Sequence, residues 1–218
     1  LIQTLRKECI SNGVQIFTNS GINSLESNND KWILNSKIQS EILINSSGAW
    51  ADNIARLANL KPKNIQPFKR SMARVEIDTS HNLSSLPVLF GSDDTWYAKP
   101  DAGSMIVSPA DASPCEPHDA WAHEEDIALG IYNFEKMVET KVKKLTSNWA
   151  GLRSFAPDQS LVIGPDADAT NFFWLAGQGG YGFQTCLAAS QIAEDILFNQ
   201  TSQVPSSISE KFSPYRFE

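Results

Sequence analysis

Cysteine is scarce in this 218-residue chain, and its distribution argues against the usual structural uses of the residue. Cys9, Cys115 and Cys186 are odd in number and far apart in the sequence. They therefore show neither a disulfide framework nor the close spacing of a metal site. The sequence predicts reduced thiols in a cytoplasmic protein that binds no metal.

Long hydrophobic runs and an excess of positive charge are also lacking. No apolar run approaches the roughly 20 residues that a membrane-spanning helix needs, and no secretory signal peptide is apparent. The chain has 18 lysine and arginine residues against 25 aspartate and glutamate residues, which gives a net charge of -7. Such an acidic chain is not typical of proteins that bind nucleic acid or anionic membranes. A small anionic ligand is not excluded, because local charge decides its binding.

The first 60 residues alternate helical and extended patterns. Leu1, Leu5 and Cys9 share one helical face, and Gly13 follows as a C-terminal cap. This start inside a helix predicts that the chain begins part-way through a longer protein, although a trimmed or naturally short terminus would give the same pattern. The other predicted elements are strands at 14–18, 31–35 and 37–45, a turn at 46–48 and a helix at 49–60.

The middle of the chain has the pattern of an antiparallel sheet. Residues 65–77 largely alternate polar and apolar side chains, and short strands are predicted at 87–90, 95–99 and 104–108. Apolar residues then recur every three or four positions, which predicts one long helix through Ile127, Ile131, Phe134, Val138, Val142 and Leu145. The last third returns to strands at 149–155, 161–163 and 172–176, followed by a helix at 183–198.

These patterns predict an α+β (mixed α/β) fold in which one domain interrupts another. Residues 1–61 and 148–200 form the interrupted α/β domain. Residues 62–147 form the inserted antiparallel domain, with its helix on one face of the sheet. Residues 201–218 are a polar C-terminal tail that wraps the surface.

Four glycines lie where a predicted strand meets a predicted helix, in the run FFWLAGQGGYGFQTCLAAS at 172–190. A helix N-terminus offers unpaired N–H groups and the positive end of the helix dipole, and glycine lets a flat or anionic ligand approach the backbone. The pattern fits a cofactor site at 177–184, and it fits a tight strand-to-helix turn equally well. It is not the dinucleotide-binding GxGxxG motif, because it comes late in the chain and lacks the acidic residue about 20 positions later.

Two arginines and a tyrosine are candidate ligand-binding residues. Arg153 lies in NWAGLRSF, where a buried arginine would be costly without a partner. That partner is either an internal carboxylate or the carboxylate of a substrate held by bidentate hydrogen bonds. Arg70 raises the same alternatives, and because Lys69 and Arg70 point to opposite faces of a strand, only one of them can face a cavity. Tyr97 is either a half-buried core aromatic or a hydroxyl donor in an apolar pocket.

The histidines give no catalytic signal. His118 and His123 lie among acidic residues near a predicted helix start, where acidic side chains favour the helix dipole. His81 lies in a polar stretch. We therefore expect neither a metal site nor a Ser–His–Asp triad.

Three runs together resemble the D-amino acid oxidase family of FAD-dependent amine and amino-acid oxidoreductases. They are ILINSSGAWADNIARLA, NWAGLRSFAPDQSLVIGP and, about 17 residues later, FFWLAGQGGYGFQT. The resemblance covers roughly residues 40–198, and the motifs are specific together but weak singly. It implies that residues 1–61 and 148–200 are part of an FAD-binding domain and that 62–147 are a substrate domain.

The resemblance also implies roles for individual residues around FAD and a D-amino acid substrate. Arg153 would bind the substrate carboxylate, Arg70 would assist it, Tyr97 would donate a hydrogen bond to it, and Gln184 would line the substrate side. The backbone from Gly179 through Gly180, Tyr181, Gly182 and Phe183 to Gln184 would approach the pyrimidine edge of the flavin. Val14 would lie near the adenine, and Ser47 and Gly48 near the pyrophosphate.

One departure from the family pattern bears on cofactor binding. The strand–GxGxxG–helix unit and the acidic ribose ligand with which the family begins are missing from this sequence. We therefore expect the chain itself to be inactive and to bind FAD weakly or not at all. A glycine or sarcosine oxidase-like enzyme and a non-catalytic fragment are the alternatives. We also expect Leu1, Leu5, Val14 and Ile16 to be exposed, and self-association to cover them.

Overall fold

The computed structural model describes residues 1–28, 30–80 and 82–218, so the prediction for His81 lies outside the described residues. The helices are α1 (Ile2–Ser11), α2 (Ala51–Leu57), α3 (Glu124–Met137), α4 (Gly182–Leu197) and α5 (Ser206–Ser209). The strands are β1 (Leu25–Asn28), β2 (Lys31–Leu34), β3 (Ile38–Ser40), β4 (Leu43–Asn45), β5 (Gln66–Ile77), β6 (Leu89–Phe90), β7 (Tyr97–Asp101), β8 (Ser104–Ser108), β9 (Ser113–Pro114), β10 (Val142–Phe155), β11 (Val162–Pro165) and β12 (Phe172–Ala176). Short 3-10 turns cover Gly48–Trp50, Leu83–Ser85, Glu210–Phe212 and Pro214–Phe217.

A three-stranded sheet in the order β11-β12-β4 joins strands from the first third and the last third of the chain. β12 is parallel to β4 and antiparallel to β11. Phe172 and Trp174 pack on one face with residues from β2 and α2, while Phe173 packs on the other face against α4. Because both faces are covered, β12 is apolar at every position rather than alternating.

A separate sheet is six-stranded and antiparallel. Its strand order is β10-β5-β8-β7-β6, and β9 pairs with β5. The side chains of Ala73 and Val75 on β5 are buried with Ile127 and Phe134 of α3. Lys69, on the same face of β5, is buried and its Nζ lies 2.6 Å from Asp126 of α3. The predicted helix on one face of an antiparallel sheet is therefore confirmed, as is the mixed α/β fold class.

Two predicted elements are wrong. The long helix ends at Met137, and Val142 and Leu145 belong to β10, where they pair with β5. Val138 is already extended, and Glu135 accepts a hydrogen bond from the Val142 N–H at 2.7 Å, so the chain turns back where the periodicity alone suggests continuation. Residues 14–17 form no regular element, since the Val14 N–H bonds to Cys9 at the end of α1 rather than to a strand.

The two ends of the chain differ in how firmly they pack. α1 buries none of its residues, and Leu1, Leu5, Val14 and Ile16 are between 44% and 57% exposed, as expected. Self-association through these side chains stays a prediction. The C-terminal tail instead packs against β11, with Pro214 buried next to Gly164.

Candidate active site

Two arginines share the face of the large sheet that lies opposite α3. In the register of β5 and β10, Arg70 is paired with Gly151 and Arg153 with Phe68, so all four point to the same side. Both arginine side chains are half-buried. Lys69 points the other way toward α3, as the alternation of a strand requires, which leaves Arg70 to face this side.

Neither arginine has an anionic partner within residues 1–28, 30–80 and 82–218. The Nε atoms of Arg70 and Arg153 are buried without a hydrogen-bond acceptor, and no carboxylate of the described chain lies within 4.0 Å of either guanidinium. Burial, and next the charge of Arg70, lower the pKa of Arg153, while the negative charge of Asp111 opposes this shift. The internal salt bridge considered for Arg153 is therefore not formed, and an anion bound here would relieve both effects.

Tyr97 lies beside Arg70. The Cζ atom of Arg70 is 5.7 Å from the centre of the Tyr97 ring. The hydroxyl of Tyr97 donates to the thioether sulfur of Met72 at 3.3 Å. Because a thioether is a weak acceptor, this hydroxyl can turn to a carboxylate oxygen at little cost.

The glycine-rich loop packs against the end of β10. The Gly179 N–H donates to the Ser154 carbonyl at 2.8 Å. A Cβ atom at Gly179, which has a φ of 53°, would lie 2.6 Å from the Phe155 ring, and one at Gly180 would lie 3.2 Å from Nη1 of Arg153. These glycines therefore have a structural role, because they let the loop approach the strand that carries Arg153.

The same loop presents a helix N-terminus beside Arg153. α4 begins at Gly182 with Tyr181 as its N-cap, and no side chain caps it. The first N–H groups of such a helix lack intrahelical acceptors. Tyr181 is 51% exposed and Phe183 78% exposed, and Gln184 in the first turn is also exposed. This combination of free donors and exposed apolar rings fits the electron-rich edge of a flavin.

Of the other predicted FAD contacts, Ser47 and Gly48 lie beside the strand that carries Arg153, whereas Val14 does not contact the loop or the arginines by a hydrogen bond or ion pair in the described chain. Ser47 and Gly48 line a cleft with Gly151 and Leu152 of β10, close in sequence to Arg153. Gly48 has a φ of 59° and open space where a Cβ would stand, which fits close approach of a ligand. Val14 is half exposed, and in the described chain no hydrogen bond or ion pair joins it to the loop or the arginines.

Asp111 is a charged residue near Arg153 that the sequence analysis did not single out. Its two carboxylate oxygens accept hydrogen bonds from the backbone N–H and the hydroxyl of Ser71, at 2.7 and 2.9 Å. These bonds hold the carboxylate near Arg153 without an ion pair. Neither periodicity nor residue type within SPADASP identifies Asp111, since its contact with Ser71 depends on how the segment before β9 meets β5.

Neither a cluster of metal-ligating residues nor a membrane-spanning helix is found in the part of the chain that the structure describes. No group of three or more histidine, cysteine, aspartate or glutamate residues could hold a metal ion there. No described helix is long and apolar enough to cross a membrane.

Known proteins similar to this chain include a hydrogen cyanide synthase subunit, an L-proline dehydrogenase and a glycine oxidase. The hydrogen cyanide synthase subunit HcnC of Pseudomonas aeruginosa is 23% identical over 164 residues, which cover 73% of this chain and 37% of that protein. L-proline dehydrogenase from P. horikoshii has a TM-score of 0.80 at 19% identity, covering 99% of this chain and 58% of that one. Glycine oxidase from Geobacillus kaustophilus has a TM-score of 0.80 at 15% identity, covering 97% and 56%. The chain thus spans little more than half the length of these structures, and less of the curated relative.

The family is shown by a match to most of the chain. The family model described as "FAD dependent oxidoreductase" (DAO) matches residues 1–196, which contain every candidate site residue. The fold likeness to the two enzymes above agrees with this match. The chain therefore belongs to the DAO family of FAD-dependent oxidoreductases.

Proposed function

We propose that this chain supplies the substrate-binding side of an FAD-dependent oxidoreductase that oxidises the Cα–N bond of a D-amino acid. One observation carries the proposal: Arg70 and Arg153 lie on one sheet face, half-buried and without a carboxylate partner in the described chain. In this proposal, residues 62–147 are the substrate domain, and 1–61 with 148–200 are part of the FAD-binding domain.

The arginines and the tyrosine would hold the substrate by its α-carboxylate. Arg153 would form a bidentate pair with the two carboxylate oxygens, since a planar guanidinium matches their geometry. Arg70 would add a second positive charge, and the Tyr97 hydroxyl would leave Met72 to donate to the same carboxylate. These three contacts would fix the position of the α-carbon and its hydrogen.

The glycine loop and α4 would face the flavin. When bound, FAD would accept the hydride of the Cα–H bond, which leaves an imine that water hydrolyses to a 2-oxo acid and ammonia. The backbone from Gly179 to Gln184 would approach the pyrimidine edge of the flavin. The N–H groups of Gly182 and Phe183, at the start of α4, would stabilise negative charge there. Ser47 and Gly48 would lie near the pyrophosphate, and Val14 near the adenine.

A D-amino acid is the substrate class that the sequence motifs favour. The runs YAKPDAG, SPADASPCEPHD and GQGGYGFQT resemble corresponding runs of D-arginine dehydrogenase, a broad-specificity D-amino acid dehydrogenase. The first contains Tyr97, the second contains Asp111, and the third is the glycine loop. Each of the three runs therefore contains a residue or loop of the candidate site, which supports the proposal.

A glycine or sarcosine oxidase-like activity is the second candidate. The fold likeness to glycine oxidase and a 20% identical relative named mitochondrial sarcosine dehydrogenase, from Mus musculus, favour it. Such substrates carry the same carboxylate, so the arginines would have the same role. The two candidates differ in whether the site requires a D-configured α-carbon.

A substrate panel distinguishes these functions. The intact protein, loaded with FAD, is assayed with D- and L-amino acid pairs, glycine and sarcosine, using oxygen and an artificial electron acceptor in parallel. The proposal predicts turnover of several D-amino acids and at most weak turnover of their L-enantiomers. Preferred turnover of glycine or sarcosine would select the second candidate, and no turnover of any carboxylated amine would refute both.

A further inference from the structure

A cavity lies directly beside Arg153 and has two separate walls. Its volume is about 300 Å³. Asn64 and the start of β5, with Gln66 and Phe68, form one wall, and the end of β10 with the following turn forms the other. Its lining residues are Asn64, Gln66, Phe68, Ala112, Arg153, Phe155, Ala156, Pro157 and Gln159. Arg153 is the single charged residue among them, and the rest are apolar or amide side chains.

The C-terminal tail is anchored to the turn that forms the second wall. The Nε atom of Arg216 donates to one carboxylate oxygen of Asp158 at 2.7 Å, and Nη2 donates to the other at 3.1 Å. Nη2 also donates to the Ser160 carbonyl at 3.2 Å. Ala156 at the start of this turn is buried in the core, whereas residues 157–159 are exposed. The bidentate pair with Arg216 is therefore the main anchor of the exposed part of the turn.

The same tail is anchored to the residue that precedes the first wall. Glu218 pairs with Lys63, whose side chain is only 1% exposed and which directly precedes Asn64. Lys63 also lies 3.4 Å from the buried carboxylate of Asp166, which accepts a hydrogen bond from Trp174. Residues 216 and 218 of one short segment thus contact the neighbours of both cavity walls.

We propose that Arg216 is a positioning residue, which sets the width of the cavity beside Arg153 by holding the turn at 156–160. Ser160 extends this effect toward the glycine loop, because a Cβ atom at Gly177 would lie 3.2 Å from the Ser160 carbonyl. The cavity receives an uncharged, largely apolar group of the molecule whose carboxylate Arg153 binds. This inference rests on the proposed function of Arg153, and it adds a residue far from it in sequence.

The test compares two carboxylates of different size in the intact, FAD-loaded protein. Benzoate carries an apolar ring that reaches the cavity, whereas acetate can contact little beyond the arginines, and neither can be oxidised at a Cα–N bond. Isothermal titration calorimetry measures both dissociation constants for the wild type and for Arg216→Ala, Arg216→Lys and Lys211→Ala. Lys211 is exposed in the same tail and serves as the matched control. Thermal melts of each variant check that it is folded at the titration temperature.

The proposal predicts that Arg216→Ala loses affinity for benzoate but keeps its affinity for acetate. Arg216→Ala weakens benzoate binding about tenfold, as expected for a misfitted apolar pocket, and changes acetate binding less than about twofold. Arg216→Lys restores part of the benzoate affinity, and Lys211→Ala changes neither constant.

Other outcomes overturn the proposal. A lower melting temperature with unchanged benzoate affinity makes Arg216 a structural brace only, and equal loss for both carboxylates or binding of neither by the wild type also refutes it. Arg153→Ala is measured in parallel, because unchanged benzoate binding in that variant refutes the proposed function independently of Arg216.

Discussion

Replacing Arg153 with methionine separates its cost to the fold from its role in binding. Methionine keeps much of the aliphatic volume and removes a guanidinium whose Nε is buried without an acceptor. An unsatisfied buried polar group costs about 1–3 kcal/mol. The variant also loses the contact of Arg153 with the Phe155 ring, at 5.7 Å, which is worth about 0.5–1 kcal/mol at such a site. We therefore expect the free energy of unfolding to stay unchanged or to rise by about 1 kcal/mol.

The assay is urea unfolding of the 218-residue chain, followed by far-UV circular dichroism, beside benzoate titration of the intact protein. Lys144→Met is the matched control, because Lys144 is an exposed lysine on the same strand. Arg153→Met should abolish benzoate binding without destabilising the fold, and the control should change neither property. If Arg153→Met lowers the free energy of unfolding by about 2 kcal/mol or more, the loss has the size expected when a charged hydrogen bond is broken. Such a result would refute the view that Arg153 lacks a partner within the chain.

Three further predictions concern contacts that position the site. Gly179→Ala should destabilise the chain by about 1–3 kcal/mol, because its Cβ would overlap the Phe155 ring; thermal melts check this, and an unchanged melting temperature would contradict the tight loop packing. Asp126→Ala should cost about 2 kcal/mol in urea unfolding, because it leaves the buried lysine of β5 without its partner; substitution of a neighbouring exposed glutamate should cost far less. The hydrogen bonds from Arg216 are the largest cause that lowers the pKa of Asp158 below its unfolded value. This carboxylate therefore stabilises the fold above about pH 4, and the contribution is lost as the pH falls toward the folded-state pKa. Asp158→Asn should flatten the acid side of the melting-temperature profile, and an unaltered profile would contradict the pairing.

The alternation of β5 shows how much of the site could be predicted from sequence. Period-2 patterning places Lys69 and Arg70 on opposite faces, and the structure agrees, with Lys69 paired to α3 and Arg70 on the open side. The apolar run of β12 and the glycines before α4 likewise predict a buried strand followed by a helix. These features are local, so the sequence carries them directly.

Contacts between distant segments could not be predicted in the same way. Whether Arg153 pairs with an internal carboxylate depends on where Asp111 lies. Asp111 is held by two hydrogen bonds from Ser71, which is 40 residues away in the sequence. The end of α3 at Met137 was missed because apolar spacing continues into β10, where Val142 and Leu145 serve a strand instead. The anchoring of the tail on Asp158 and Lys63 left no pattern that periodicity could reveal.

The most direct test of the account compares an amino acid with the same molecule lacking its carboxylate. Steady-state kcat/KM is measured in the FAD-loaded intact protein for the preferred D-amino acid and for its decarboxylated amine, in the wild type and in Arg153→Ala. If Arg153 binds the carboxylate, the variant loses about 2–5 kcal/mol of transition-state stabilisation, or roughly 30- to several-thousand-fold in kcat/KM, with the amino acid. Its kcat/KM with the amine should stay within about twofold of the wild type. Equal losses for both substrates, or no loss for either, would contradict the carboxylate-binding role on which the proposed function rests.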